Sequence, residues 1–365
     1  MARRPRSASA PSLTVAPRKP GVHGPTRRAV SEPKRPLPRQ WRDRLWRAAS
    51  PQVSFIERDR DPRHALFLAG SARSGSTWLA EIIAEALHGR LIFEPLRRDE
   101  ATAAHTVGFG RYADPDGAEP DIDAALSWAL TGRVRSRWSD QYNTVRFPKR
   151  RVIKEIRANN LLPWLARHYP QTPIVYLLRH PFPSASSLVD LGWPTRLGQL
   201  LAQDRFVAGP LAPFRETIDD VVGAGSPFVE FVLRWCLENI VPTTMLAPHQ
   251  AHVVFYEQLV ERPDEEIARL ARYLRRFGPG TWAVTTGRID ALTRPSHTDY
   301  RGTELTTPGV GQRARGPDVA TTTMARAHEV IACFGLDRVY GAATRPLIEP
   351  EAVLIGPQKK VGGPL

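Results

Sequence analysis

Two short segments carry residue types suited to holding anions. The first is Gly70-Ser-Ala-Arg-Ser-Gly-Ser-Thr77, where an apolar run gives way to helical spacing. Successive main-chain N–H groups in such a loop, with the positive end of a following helix, make a cavity for an anion, and Gly75 lets the backbone approach it closely. Ser74, Ser76 and Thr77 add hydroxyl donors. The Gly70 to Gly75 spacing is that of a nucleoside-triphosphate loop, yet Ser76 stands where such a loop carries lysine, which weighs against a kinase or hydrolase. Arg73 lies inside the loop instead, where a guanidinium can bridge two anionic groups and neutralise charge on a leaving oxygen. An ordinary Gly/Ser turn with a solvated arginine is the plain alternative.

The second segment is Arg179-His-Pro-Phe-Pro-Ser-Ala-Ser-Ser187, directly after the most apolar run in the chain. Ligands of open α/β sheets collect at the C-terminal edge of the strands, and an arginine with a cluster of hydroxyls there suits a second phosphate. A Pro-rich turn capped by serine is the alternative. The two segments together say more than either, because a ligand with phosphates at two separate positions needs two such sites.

The elements that must position these groups follow from periodicity. Apolar runs at 64–69, 90–93, 151–156, 173–178 and 252–256 predict strands, and helical spacing predicts helices over 77–87, 122–130, 161–169, 228–241 and 264–277. The alternation predicts an α/β fold, a P-loop-containing parallel sheet flanked by helices in a three-layer sandwich. Residues 97–150, polar and punctuated by Gly and Pro, are expected to form an irregular insertion near an acceptor.

Charge is unevenly distributed. Of the net +14, residues 1–48 hold 13 Lys or Arg against Glu32 and Asp43, or +11, which leaves +3 for the rest. A nearly neutral body argues against specific nucleic-acid binding. Residues 1–40, alternating Pro, Arg, Ser and Ala, are expected to form a disordered basic tail, at most in weak contact with anionic surfaces. Residues 41–340 should form the catalytic domain, and 341–365, rich in Gly and Pro, a loose C-terminal tail. Cys236 and Cys333 lack metal-ligand spacing, and no run is long and apolar enough to cross a membrane, so a cytoplasmic protein is expected.

On these residues the chain resembles the PAPS-dependent sulfotransferase family, in its bacterial and carbohydrate-sulfotransferase branch (PAPS is 3′-phosphoadenosine-5′-phosphosulfate). The stretch from Gly70 to Leu79 is similar to the family's 5′-phosphosulfate loop, and Arg179 with Ser187 eight positions on is similar to its 3′-phosphate motif. Glu94-Pro-Leu, Phe255-Tyr-Glu-Gln-Leu259 and Arg294-Pro-Ser-His-Thr298 resemble further family elements, over about residues 62–335. The chain departs from the cytosolic branch in carrying Arg73 where that branch has lysine, and in lacking its late Lys-Gly-x-x-Gly segment.

The resemblance implies in-line transfer of a sulfuryl group from PAPS to a hydroxyl or amine of a carbohydrate, glycolipid or small natural product, without a metal. It implies donor contacts from Ser71, Arg73, Ser74, Gly75, Ser76, Thr77, Trp78, Arg179 and Ser187, with Arg73 serving the leaving group. Glu94 is the favoured base, with a raised pKa if shielded from water; a loop carboxylate paired with Arg97 or Arg98 is the bland reading. His105 and His180 are alternative bases. Lys154 and Arg157 either bind an acidic acceptor or flank a strand, and Trp235 and Asn239 are expected to pack in the core. The rival readings are a P-loop kinase-like transferase and a non-enzymatic nucleotide-binding protein.

Overall fold

Unbroken apolar runs, rather than alternating ones, belong to strands covered on both faces. The computed structural model describes residues 54–97, 107–278, 282 and 320–357, all within a unit that spans 44–365. Five strands, β1 (Ala65–Gly70), β2 (Arg90–Phe93), β3 (Arg151–Glu155), β4 (Ile174–Leu178) and β5 (His252–Phe255), form one sheet in the order β2-β3-β1-β4-β5. Every pairing is parallel, with Phe67 opposite Ile153 and Ile174 at the centre. All strand residues are buried.

The helices are α1 (Ser76–Ala86), α2 (Pro120–Leu130), α3 (Leu162–His168), α4 (Pro181–Asp190), α5 (Leu197–Leu201) and α6 (Asp204–Ala208). They continue as α7 (Arg215–Ala224), α8 (Pro227–Met245), α9 (Tyr256–Glu261), α10 (Pro263–Leu274) and α11 (Thr321–Cys333). Alternate strand residues feed two separate cores. Phe67, Ile153, Tyr176 and Phe255 join α2, α3, α4, α8 and α11 on one face. Leu66, Leu68, Val175 and Val254 join α1 and α10 on the other. The expected three-layer α/β arrangement is therefore observed. In α10, Asp264, Glu265 and Glu266 in the first turn and Arg272 in the last complement the helix dipole, while Ile267, Leu270 and Leu274 face the sheet.

One expectation needs correction. Residues 341–357 are not loose: Val353 and Leu354 are buried, Ile355 N–H donates to Thr243 O and Gly356 N–H to Leu246 O. Arg338 also reaches the carbonyls of Ala352 and Val353. The segment at 181–190 is a helix and not the Pro-rich turn that stood as the alternative, because Pro181 occupies the first helical position, where it costs no hydrogen bond.

At the N-terminal edge of the sheet, Arg90 and Arg151 begin neighbouring strands and are fully buried. Arg90 donates to Glu57 at 2.7 Å and to Asp140 at 2.8 Å, and Arg151 donates to the other Glu57 oxygen at 3.1 Å. Buried guanidiniums persist only when paired in this way.

Candidate functional site

The site is built at the opposite, C-terminal edge. The loop from Gly70 to Gly75 joins β1 to α1, and Gly75 takes φ 90° at the N-cap of the helix. A Cβ there would lie 2.6 Å from the Tyr256 ring, so both backbone conformation and space demand glycine. Arg73 also takes a left-handed φ, 64°, a conformation that a long side chain adopts only when its surroundings enforce it.

The second segment supplies that enforcement. Arg73 Nε donates to Ser187 Oγ at 3.0 Å, and Arg179 Nη1 donates to the Arg73 carbonyl at 2.9 Å. Ser184 Oγ lies 3.5 Å from the same carbonyl. The Arg179 guanidinium sits 4.2 Å from the centroid of Tyr256, the ring that packs on Gly75, and Trp78 meets that ring edge to face. The two motifs, more than a hundred residues apart, thus form one constellation.

Ser74 Oγ, on a residue only 1% exposed, has no hydrogen-bond partner among the described residues, and neither has Ser186 Oγ on a half-buried residue of α4. A buried hydroxyl without a partner is costly unless a ligand completes it. At the N-terminus of α1, beside two guanidiniums, an anionic oxygen is the group that would do so. Ser71, Ser76 and Thr77 are buried around it.

Glu94 lies just beyond β2 at φ 42°. Its carboxylate accepts from Lys154 Nζ at 2.6 Å and from Arg157 Nη1 at 2.9 Å. Burial alone would raise its pKa, but Lys154 and Arg157 outweigh burial and hold the carboxyl below the ordinary carboxylate value. The raised pKa expected for Glu94 is thereby corrected, and its carboxylate is held by these two residues of β3 and its exit, while Arg98 lies outside the described residues. Parallel pairing decides this, since Glu94 N–H bonds to Lys154 O. Glu155, fully buried, is pushed upward by burial, with Arg157 opposing.

His180 is no base. Its Nδ1 accepts from Phe182 N–H and its Nε2 faces Gly341 O at 3.2 Å, which sets the Nε2–H tautomer, and burial lowers its pKa to about 4. His105 and Arg294 to Thr298 lie outside the described residues.

Sequence reasoning assigned Asn239 to the core, and it does more than fill space. Its Nδ2 donates to Ser71 Oγ at 3.2 Å, while its Oδ1 accepts from Tyr176 OH at 2.5 Å and Asn159 Nδ2 at 3.2 Å. The legible signal was an amide in the middle of a long helix whose apolar residues flank it on both sides, next to Glu238. Glu257 was also missed. It accepts from His180 N–H and Tyr340 OH and so ties α9 to the start of α4.

No curated protein matches the chain. Two solved structures are weakly similar. The "Sulfotransferase Domain from the Curacin Biosynthetic Pathway" is 18% identical over 63% of this chain and 77% of that one, with a TM-score of 0.33. The "Sulfotransferase Domain from the Synechococcus PCC 7002 Olefin Synthase" is 16% identical over 77% of this chain and 97% of that one, with a TM-score of 0.37. The Sulfotransferase family model matches residues 64–276, more than half of the 365. That stretch runs from the start of β1 through the phosphate-type loop to the end of α10, and on this match the chain belongs to the sulfotransferase family.

Proposed function

We propose that this chain moves a sulfuryl group from PAPS to a hydroxyl or amine of a carbohydrate, glycolipid or small natural product. The observation that supports it most directly is the joining of Arg73, Arg179 and Ser187 around a loop whose buried Ser74 hydroxyl has no internal partner. A donor with phosphates at two separate positions would use both halves. The loop N–H groups, Ser71, Ser74, Ser76 and Thr77 would hold the phosphosulfate side, with Trp78 packed behind them. Arg179 and Ser187 would hold the 3′-phosphate. The kinase-like and non-enzymatic alternatives give way to the family assignment.

When bound, PAPS supplies the activated sulfuryl group, and the protein supplies position and charge. Arg73 neutralises the charge that develops on the leaving phosphate oxygen, and the loop N–H groups do the same without reorganisation. Glu94 is ionised at neutral pH, and a carboxylate keeps acceptor capacity after two charged donors have bound. It would therefore orient the acceptor hydroxyl, accept its hydrogen bond and take its proton as the O–S bond forms, as a carboxylate already ionised rather than as a base with a raised pKa. Glu94→Gln should lower kcat by roughly 10²-fold and leave no ionisation near neutral pH missing from the rate profile. An apparent pKa of about 6 that vanishes in the variant would return Glu94 to the role of a poised base.

The test of the donor is calorimetric titration with 3′,5′-adenosine bisphosphate, ATP and ADP in the absence of magnesium, repeated on Arg179→Ala. The bisphosphate should bind without magnesium and resist competition by ATP, and Arg179→Ala should weaken it about tenfold or more. Binding of magnesium ATP with no affinity for the bisphosphate would overturn the reading.

A further inference from the structure

Phe147 alone among the described phenylalanines is exposed, and at 66% it is the most exposed large apolar side chain described. The reason is local. Val145 and Pro148 are buried on either side and pin the loop, which turns Arg146, Phe147 and Lys149 outward. Ile56, 56% exposed, lies alongside, because its N–H donates to Arg146 O at 2.8 Å. Residues 55–58 alternate strictly, with Phe55 and Glu57 buried and Ile56 and Arg58 outside. Arg135 flanks the same strip, its guanidinium 4.1 Å from the Phe55 ring centroid.

The exposed charge around these two apolar groups is mostly positive. Between residues 133 and 150 the cations are Arg133, Arg135, Arg137, Arg146, Lys149 and Arg150, and the sole acid, Asp140, is buried against Arg90. Beyond Arg58 the carboxylates of Asp59 and Asp61 are engaged by His64, Arg151 and Arg63. The chain enters this strip at Ser54 from a stretch that carries +11 over residues 1–48. Exposed apolar side chains ringed by Lys and Arg suit a surface with an oily interior and anionic headgroups. Both side chains are more than half exposed. Ile56 offers nothing to stack on a base, which separates the strip from a nucleic-acid platform.

We propose that this strip is a peripheral docking surface for an anionic lipid bilayer, with Phe147 and Ile56 inserted at the headgroup level and Arg58, Arg135, Arg146 and Lys149 on the phosphates. The loop leads into β3 at Arg151, at the N-terminal edge of the sheet, whereas the loop from Gly70 to Gly75 leaves the C-terminal edge. Docking therefore leaves the transfer site open to water.

The experiment is co-sedimentation of the full chain with vesicles of phosphatidylcholine alone and of phosphatidylcholine mixed with phosphatidylserine. The variants are Phe147→Ser, Ile56→Ser and the double charge reversal Arg146→Glu with Lys149→Glu. All of these side chains are exposed, and an unchanged melting midpoint confirms the fold; a variant that melts early is replaced by either single apolar change. The wild type should prefer the anionic vesicles. The charge reversal should weaken that binding about tenfold or more, and Phe147→Ser about fivefold, with residues 1–48 intact and affinity for adenosine bisphosphate unchanged. Three results would overturn the proposal. One is variants that bind like the wild type, which assigns binding to the N-terminal stretch alone; another is equal binding to neutral and anionic vesicles; the third is displacement of the vesicles by an oligonucleotide or polyglutamate with the same variant dependence, which makes the strip a site for an acidic macromolecule.

Discussion

The two edges of the sheet hold the same residue type to opposite ends. At the N-terminal edge Arg90 and Arg151 meet carboxylates, Glu57 and Asp140, that came into the core with them. At the C-terminal edge Arg73 donates to a hydroxyl and Arg179 to a main-chain carbonyl, next to a buried serine hydroxyl with no partner among the described residues. Charge balanced internally holds the fold, and guanidiniums gathered beside an incomplete buried hydroxyl are poised for an external anion. The contrast also explains why Glu94 differs from both. It is buried like Glu57, but it draws its two cations from the site.

The largest effects should separate the edges cleanly. Arg73→Ala should reduce kcat/KM by roughly 10²–10³-fold while the melting midpoint stays nearly constant. Arg90→Ala strands Asp140 and half of Glu57 and should cost about 3–5 kcal/mol of stability, read by chemical denaturation. If Arg73→Ala unfolds the protein, or Arg90→Ala leaves it stable and inactive, the division between the edges fails. Next in size is Gly75→Ala. The left-handed φ and the 2.6 Å clash with Tyr256 oppose it together, so it should lose about tenfold or more in nucleotide affinity, with little change at the far edge.

What the sequence disclosed divides along similar lines. The strands were legible because their apolar runs are too short for helices and alternate with helical spacing, and Gly75 was legible because the loop has its own spacing. Contacts between distant segments were not. Arg97 and Arg98 are near Glu94 in the chain, whereas Lys154 and Arg157 are near it only because β2 lies parallel to β3 with Phe93 opposite Lys154. Val353 and Leu354 sit among Gly and Pro residues that read as loose, and they are held by α8 backbone groups that composition does not reveal.

Acid should test the burial of uncharged groups rather than of ion pairs. Burial lowers His180 to about 4 and His252 to about 3. Each is neutral when folded but takes a proton when unfolded below about pH 6.5, so stability falls as pH drops from 6.5 toward 4. Asp140 acts in the opposite direction. Burial raises it to about 6, with Arg90 opposing, so the folded state binds its proton more readily and Asp140 favours folding as pH falls toward 4. Glu155, Glu257 and Glu266, also raised by burial, act with Asp140, so the histidine share is read by difference. Between a pH of about 7 and about 5 the wild type should lose about 1–2 kcal/mol more stability than His252→Phe, which keeps a ring against Tyr273. The same pH dependence in wild type and variant would mean that His252 is protonated in the fold.

The smallest change tests whether the apolar side of the sheet reaches the site at all. Tyr176 is in the middle of β4, and its hydroxyl bonds to Asn239, which in turn holds Ser71. Tyr176→Phe removes one donor and no volume, and Asn239 Oδ1 keeps Asn159 as a partner, so the stability cost should be about 1 kcal/mol. If the chain from Tyr176 to Ser71 positions the loop, KM for the donor should rise a few-fold, about as much as that lost order is worth, with kcat little changed. A purely structural tyrosine would lower the melting midpoint and leave KM where it was. A fall in kcat alone would place Asn239 nearer to the reacting atoms than its bond to Ser71 implies, and would extend the catalytic edge one layer into the core.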